Sequence, residues 1–166
     1  MVDYCFPCDA GKLFAPLPGR SVVMVRRQVL LSDYKELSPA IRDEESDGPT
    51  ELVLDDGTAI HFVPDTEQMS VKVGAGRMPA WGDHFREIEP ATNGYWVGRV
   101  GTPVAEVRVL VSKYAAPGNR SEFGVELLLK GGLRVLLEYV SDESRPDTLR
   151  ISTDEPAGSF RRVKVA

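Results

Sequence analysis

The sequence has few of the residues on which catalytic sites depend. It contains only two cysteines and two histidines in 166 residues. No serine lies in the G-x-S-x-G pattern of a nucleophile elbow, and no glycine-rich segment carries the lysine and hydroxyl residue of a phosphate-binding loop. Small secreted domains depend on several disulfides, so two cysteines exclude that class. We therefore lean towards a protein that is not an enzyme and that needs no cofactor.

Long apolar runs and strong helical periodicity are also missing. No stretch approaches the roughly 20 apolar residues of a membrane helix, and the first residues lack the basic and apolar regions of a secretory signal. We expect a cytoplasmic protein that does not bind membranes. Only two segments have weak helical periodicity, 32–44 and 83–89, and Pro39 interrupts the first.

The two cysteines lie close together as Cys5-Phe6-Pro7-Cys8. A redox pair needs a preceding strand and a following helix whose N-terminus lowers the pKa of the first thiol, and only four residues precede Cys5. A zinc site needs four ligands. The available set is Cys5, Cys8, His61 and His84, whose spacing matches no zinc pattern, so we expect ordinary thiols and no bound metal.

The chain instead contains many short segments of β-branched and aliphatic residues, which favour strands. Two of the clearest segments flank glycine turns, Asp56-Gly57 and Gly131-Gly132. Both pairs tolerate the positive φ of a two-residue type I′ hairpin. With a two-residue turn, Leu52 lies opposite His61 and gives the imidazole aliphatic neighbours. We expect a packing role for His61.

The strand segments occur twice in the same order. "VLLSDY" at 29–34 matches "VLVSKY" at 109–114, and "ELVLDDGTAIHF" at 51–62 matches "ELLLKGGLRVLL" at 126–137. "MSVKV" at 69–73 then matches "LRIST" at 149–153, and upstream Gly19-Arg20 corresponds to Gly98-Arg99. The matches predict two tandem pseudo-repeats, each a long strand, a tight hairpin and a final strand.

These patterns predict a mainly β protein of antiparallel strands, or an α+β protein with few short helices, in which the two halves pack together as one compact unit. The predicted parts are an N-terminal arm, a first pseudo-repeat, a connector, and a second pseudo-repeat with a C-terminal strand; their bounds are 1–16, 17–75, 76–94 and 95–166.

Charge is unevenly distributed along the chain. The window 33–67 contains eleven acidic residues and two basic ones, so it carries −9, while the whole chain carries −5 and the remainder +4. The overall negative charge argues against nucleic acid as the partner. The densest part, Asp43, Glu44, Glu45 and Asp47, is either a solvated loop or a surface that steers a basic partner protein.

The connector is rich in glycine, proline and polar residues but also holds aromatic rings. Trp81, Tyr95 and Trp96 either cap the core or form an interaction patch, since buried aromatics often anchor interfaces. His84 lies in the same segment and is the histidine better placed for a functional role. Together with the four acidic residues, these four residues form the predicted partner-binding set.

Three functions follow from these observations. The first is a non-catalytic module that binds another protein through an acidic surface; size and charge resemble those of immunity or inhibitor proteins that neutralise a basic partner, an analogy with no motif behind it. The second is an enzyme or small-ligand binder with a pocket between the halves. The third is a structural subunit that forms a homo-oligomer.

Overall fold

The computed structural model describes residues 1–30, 45–46, 48–89, 94–115, 117–141, 148–152 and 155–166. Within these residues the chain forms mostly strands, together with a short α-helix, α1 (Gly11–Phe14), and 3-10 turns at Pro7–Asp9 and Gly94–Trp96. The strands are β1 (Val22–Leu30), β2 (Glu45–Ser46), β3 (Thr50–Leu54), β4 (Ala59–Asp65), β5 (Ser70–Ala75), β6 (Phe85–Ile88), β7 (Val104–Ser112), β8 (Glu122–Leu129), β9 (Arg134–Val140), β10 (Thr148–Ser152) and β11 (Phe160–Lys164).

The described strands form two antiparallel sheets that pack face to face. The first sheet has the order β5-β4-β3-β1-β6, and the second has the order β11-β7-β8-β9-β10-β2. Side chains alternate between the two faces of a strand, so every second residue points into the space between the sheets. Val25, Leu52 and Phe62 of the first sheet meet Val107, Leu127 and Leu137 of the second in one buried cluster. Each such side chain stabilises the fold by roughly 1.5–3 kcal/mol. The prediction of a mainly antiparallel β protein is confirmed.

The segment 83–89 is not a helix, contrary to the sequence prediction. Phe85–Ile88 forms β6, which pairs with β1 from Leu30 opposite Phe85 to Arg27 opposite Ile88. The apolar residues of this segment are three apart, a spacing that fits one helical face, but the free edge of β1 offers backbone partners that no isolated turn of helix provides. The other predicted helix, at 32–44, lies outside the described residues.

The two tight hairpins are present, but their loops have three residues rather than two. In the first, the Gly57 N–H donates to the Leu54 carbonyl, and the Leu54 N–H donates to the Thr58 carbonyl at 2.8 Å. Gly57 has φ of +83°, as the closing residue of such a loop requires. The extra residue shifts the register by one, so His61 lies opposite Glu51 and not opposite Leu52.

Both sheets contain the same succession of strands. β1, β3, β4, β5 and β6 of the first sheet occupy the positions of β7, β8, β9, β10 and β11 in the second. Arg26 pairs with Glu51 across the first sheet as Arg108 pairs with Glu126 across the second, and β1 and β7 each carry a bulge near their start. The strand order is the one that the predicted repeat requires; a tandem duplication and the proposed boundaries between the parts stay predictions.

A pair of reciprocal hydrogen bonds relates the two halves. Ser21 and Pro103 form an antiparallel bridge. On either side, the Gly19 N–H donates to the Val104 carbonyl and the Gly101 N–H donates to the Val22 carbonyl, both at 2.8 Å. A local two-fold axis therefore passes through the bridge, and Gly19 corresponds to Gly101 rather than to Gly98.

No helix among the described residues has the length and apolar character that crossing a membrane requires.

Candidate functional site

A loop beside the edge of the first sheet is closed at its base by an ion pair. We call residues 78–86 the Trp81 loop. Before it, at the end of β5, stands Arg77, whose Nη2 donates to both carboxylate oxygens of Glu87 in β6, at 2.7 and 2.8 Å. Because one guanidinium nitrogen contacts both carboxylate oxygens, the contact fixes the orientation of the two side chains as well as the distance between them. The hydrogen bond to Glu87 raises the pKa of Arg77. The ion pair holds the two ends of the loop together.

A buried carboxylate lies beneath this ion pair. Glu51, in β3, has no exposed surface although it points to the outer face of the first sheet. Its oxygens accept from Arg26 Nη1 at 2.5 Å, from Arg77 Nη1 at 3.4 Å and from the Met78 N–H at 2.8 Å. A buried carboxylate persists only when its charge and lone pairs are satisfied. Glu51 therefore fixes both Arg77 and the first residue of the Trp81 loop.

The middle of the Trp81 loop is open to solvent. Residues 79–84 are all exposed, whereas Met78 is buried beside Glu51. Trp81 is 37% exposed, and His84 follows it on the same loop. Gly82 has φ of +140°, a conformation that only glycine adopts without strain. The loop thus presents a tryptophan and a histidine from a base that is fixed on both sides.

The second half has a shorter loop in the corresponding place. We call residues 156–161 the Gly158 loop. Its base is also closed by a two-pronged ion pair, but with the charges reversed: Arg162 Nη2 donates to both oxygens of Glu155, at 2.9 and 2.8 Å. Hydrogen bonds from Arg162 and then Arg134 lower the pKa of Glu155. Beneath it lies Glu126, buried like Glu51 and bonded to Arg162 Nε at 3.0 Å.

The two loops share a sequence pattern. "PAWGDHFR" in the Trp81 loop corresponds to "PAGSFR" in the Gly158 loop, and Gly158, like Gly82, has positive φ. Trp81 and one of the two residues after Gly82 are additions in the first half. The signal was missed because the segment was assigned to a connector and a short helix.

The predicted acidic residues lie largely outside the described part of the chain. Asp43, Glu44 and Asp47 are among the residues not described, and Glu45 is described only as a backbone position of β2, opposite Arg150 of β10. Gly48, which follows the acidic residues in the sequence, lies beside the base of the Trp81 loop: a Cβ added to Gly48 would lie only 3.1 Å from the Phe85 ring.

The structure separates the four predicted connector residues into two pairs. Trp81 and His84 are exposed on the loop, whereas Tyr95 and Trp96 are buried, with Trp96 only 1% exposed. The rings of Tyr95 and Trp96 meet edge to face with centroids 5.0 Å apart. They cap the core, the first of the two interpretations given above, because burying such large rings contributes more than exposing them. Their side chains are therefore not available to a partner.

The N-terminal arm is fixed to the first sheet. The backbone of Cys5 exchanges hydrogen bonds with Val73 of β5, at 3.0 and 2.8 Å. Both cysteines are free thiols, and burial raises the pKa of Cys5 and of Cys8. A raised pKa reduces the thiolate fraction on which thiol chemistry depends. Among the described residues, no three His, Cys, Asp or Glu side chains are grouped closely enough to hold a metal ion.

His61 connects this arm to the outer face of the first sheet. Its Nδ1–H donates to the Gly76 carbonyl, 2.8 Å away, so Nε2 is left as an acceptor for the Tyr4 hydroxyl at 3.2 Å. Burial lowers the pKa of His61 and raises that of Tyr4. With both ring nitrogens engaged and no exposed surface, the imidazole has the packing role predicted for it.

Comparisons of the chain with protein-family models, with curated proteins and with solved structures found no match.

Proposed function

We propose that this chain is a non-catalytic binding module that docks a protein partner through the Trp81 loop, with the acidic segment 43–47 beside it. The observation that carries the proposal is the exposed Trp81 on a loop whose ends are joined by the Arg77–Glu87 ion pair. Tryptophan is among the residues most often responsible for binding energy at protein interfaces. The 37% of Trp81 that is exposed is available for such a contact.

The closed base of the loop favours tight binding. A loop that must become ordered on binding loses conformational entropy, and this loss reduces the affinity. Here the Glu51 carboxylate fixes Met78 on one side, and pairing of β6 with β1 fixes Phe85 on the other. The loop therefore enters the complex with much of its order already established, and the binding energy of Trp81 is not spent on ordering the chain.

The acidic segment favours a basic partner. It belongs to the window that carries −9, and Gly48, the residue that follows it, lies beside Phe85 at the base of the Trp81 loop. Long-range attraction accelerates encounter with a positively charged surface, while the aromatic contact slows dissociation. This combination suits an immunity- or inhibitor-type protein that occupies a basic partner. The assignment to that class is part of the proposal.

The first experiment tests the tryptophan. Candidate partners are the proteins encoded beside this gene, purified and immobilised one by one. We expect one of them to bind the full chain, and Trp81→Ala to weaken that complex by at least about thirtyfold, as for a central interface residue. Val97→Ala is the matched control, because Val97 is 56% exposed and lies outside the loop. Equal dissociation constants for the wild type and Trp81→Ala would contradict the proposal.

The second experiment tests the acidic segment with the same partner. Replacing Asp43, Glu44, Glu45 and Asp47 by Asn or Ser together should slow association at low salt and leave dissociation nearly unchanged. The free energy of unfolding should shift by under ~1 kcal/mol, because solvated acids contribute little to stability. Association rates that are equal at low and high salt would assign the segment to solvation alone and leave the Trp81 loop as the interface.

A further inference from the structure

The structure contains a cavity that the proposed protein interface does not use. It has a volume of about 420 Å³ and lies at the end of the sandwich opposite the two tight hairpins. Its walls come from the ends of β7 and β9, the start of β8, the Gly158 loop, and Met69 from the turn before β5. The volume is within the range of sites for small molecules.

Aromatic rings form a large part of the cavity wall. Tyr114, Phe123 and Tyr139 all line it. Phe123 is held in place by Phe160, whose ring meets it edge to face at 6.0 Å. Tyr114 is 82% exposed, so packing within the chain does not explain its position. Flat aromatic faces at the mouth and wall of a cavity favour a ligand that has an apolar face of its own.

Small hydroxyl groups form the rest of the wall. Ser112, Ser121, Ser141 and Ser159 line the cavity, and Asn119 adds a side-chain amide. Each hydroxyl both donates and accepts a hydrogen bond, so the wall suits a ligand whose polar groups do the same. A purely apolar ligand would leave these groups without water and without partners, at a cost for each of them.

Formal charge on the lining residues is neutralised. Among the described residues that line the cavity, Arg120 is the basic one, and none is an Asp or a Glu. Its Nε donates to Glu122 Oε1 at 2.9 Å, its Nη2 donates to Asp9 Oδ2 at 2.9 Å, and its guanidinium lies over the Phe6 ring at 4.6 Å. Two carboxylates balance the charge of Arg120, so the described part of the wall offers an ionic ligand no free counter-charge.

From these properties we infer that the cavity binds a neutral saccharide. A sugar ring has an apolar face, which fits the rings of Tyr114 and Phe123, and a rim of hydroxyls, which fits the serines. Most of the cavity wall comes from the second half, and Met69 is the part of the wall that comes from the first. Phe123 occupies the position that Gly48 has in the first half, and the chain between β7 and β8 is shorter than that between β1 and β3.

The test uses the full chain and neutral disaccharides: maltose, cellobiose, lactose and N,N′-diacetylchitobiose. We expect at least one of them to bind saturably in isothermal titration, with saturation-transfer NMR showing contact through the ring protons. Tyr114→Ala should weaken that binding by about tenfold through loss of the aromatic face. Ser121→Ala, at an exposed position, should weaken it several-fold, and Val97→Ala should have no effect.

Three outcomes would overturn the inference. The first is that none of the four disaccharides binds. The second is that glucuronic acid or glucosamine binds as well as the best neutral sugar, because the cavity would then select charge. The third is that Tyr114→Ala and Ser121→Ala both bind the sugar like the wild type. None of these readings depends on the protein partner, so the inference and the proposed function fail or succeed separately.

Discussion

The Trp81 loop and the Gly158 loop occupy equivalent places in the two halves and differ in length, charge order and exposure. Both lie between the last two strands of their half, and both are closed by an ion pair above a buried glutamate. The Trp81 loop has nine residues and presents an indole, whereas the Gly158 loop has six and lines a cavity. Each half therefore has the same support for its loop, an ion pair above a buried glutamate, which we call the frame. The loops that the two frames carry differ.

The reversal of the ion pair shows which property the frame requires. Arg77 with Glu87 in one half and Glu155 with Arg162 in the other give the same closure with opposite charges. A fixed pairing is needed, but its polarity is free to change. Loops on such a frame can vary in length at little cost, and function commonly lies in them. This is why we assign the protein contact to one loop and the small-ligand cavity to the other.

The largest expected effect concerns the buried glutamates on which both loops rest. Glu51→Gln and Glu126→Gln should each lower the free energy of unfolding by about 2–3 kcal/mol, because each removes the charge of a fully buried carboxylate that accepts hydrogen bonds from arginine side chains. Urea unfolding of the two variants measures this. The two losses should agree to within about 1 kcal/mol if the frames are equivalent. If only one of the two variants lost stability, the two buried glutamates would not have equivalent roles in their halves.

A smaller effect is expected when the ion pair of the first half is reversed. Arg77→Glu and Glu87→Arg should each cost about 1 kcal/mol, because both side chains are partly exposed and water screens the pair. The double variant gives the first half the polarity of the second, and it should recover most of the loss. Thermal and urea unfolding of the four proteins form the double-mutant cycle. If the double variant instead loses as much free energy of unfolding as the two single variants together, the order of charges in the ion pair does affect stability.

The smallest effect concerns a position where the frames differ, His61 in β4 and Leu136 in β9. Burial lowers the pKa of folded His61 below its ordinary value of 6.5. The unfolded chain therefore takes up a proton first as pH falls through 6.5, and the stabilising effect of the neutral imidazole, complete above 6.5, is lost below it. His61→Leu should remove that part of the pH dependence.

Urea midpoints at pH 7.5 and pH 5.0 provide the measurement for this substitution. The wild type should lose more stability between the two pH values than His61→Leu does. The same loss in both proteins would assign the pH dependence to carboxylates and not to the imidazole.

The strands could be predicted because their local patterns agree with the fold. The β-branched runs predicted at 21–31 and 106–114 contain β1 (Val22–Leu30) and most of β7 (Val104–Ser112), and the hairpin glycines lie in the loops. The register between β3 and β4 could not be predicted from the sequence. Hairpin loops of two and of three residues can both contain Asp56-Gly57, and only the pairing between the strands shows which loop forms. The predicted offset between 51–62 and 126–137 agrees with the equivalent positions of Glu51 and Glu126 in the sheets, while the tandem repeat itself stays a prediction.

The candidate site could be predicted only in part. Trp81 and His84 were identified, but burial separates them from Tyr95 and Trp96, and local sequence does not reveal which aromatic rings reach the core. The ion pair between Arg77 and Glu87 was not predicted. They become partners only when β6 pairs with β1, a contact between residues distant in sequence. The cavity was also beyond local patterns, because its wall comes from segments of both halves.

The most direct test shortens the Trp81 loop towards the length of the Gly158 loop by deleting Trp81 and His84 together. The shortened variant keeps the Arg77–Glu87 ion pair and the buried Glu51. We predict that the free energy of unfolding changes by under ~1 kcal/mol, because the frame tolerates either length, and that binding of the protein partner is lost. An unfolded variant would contradict the common frame, and a folded variant that binds the partner like the wild type would contradict the assigned function.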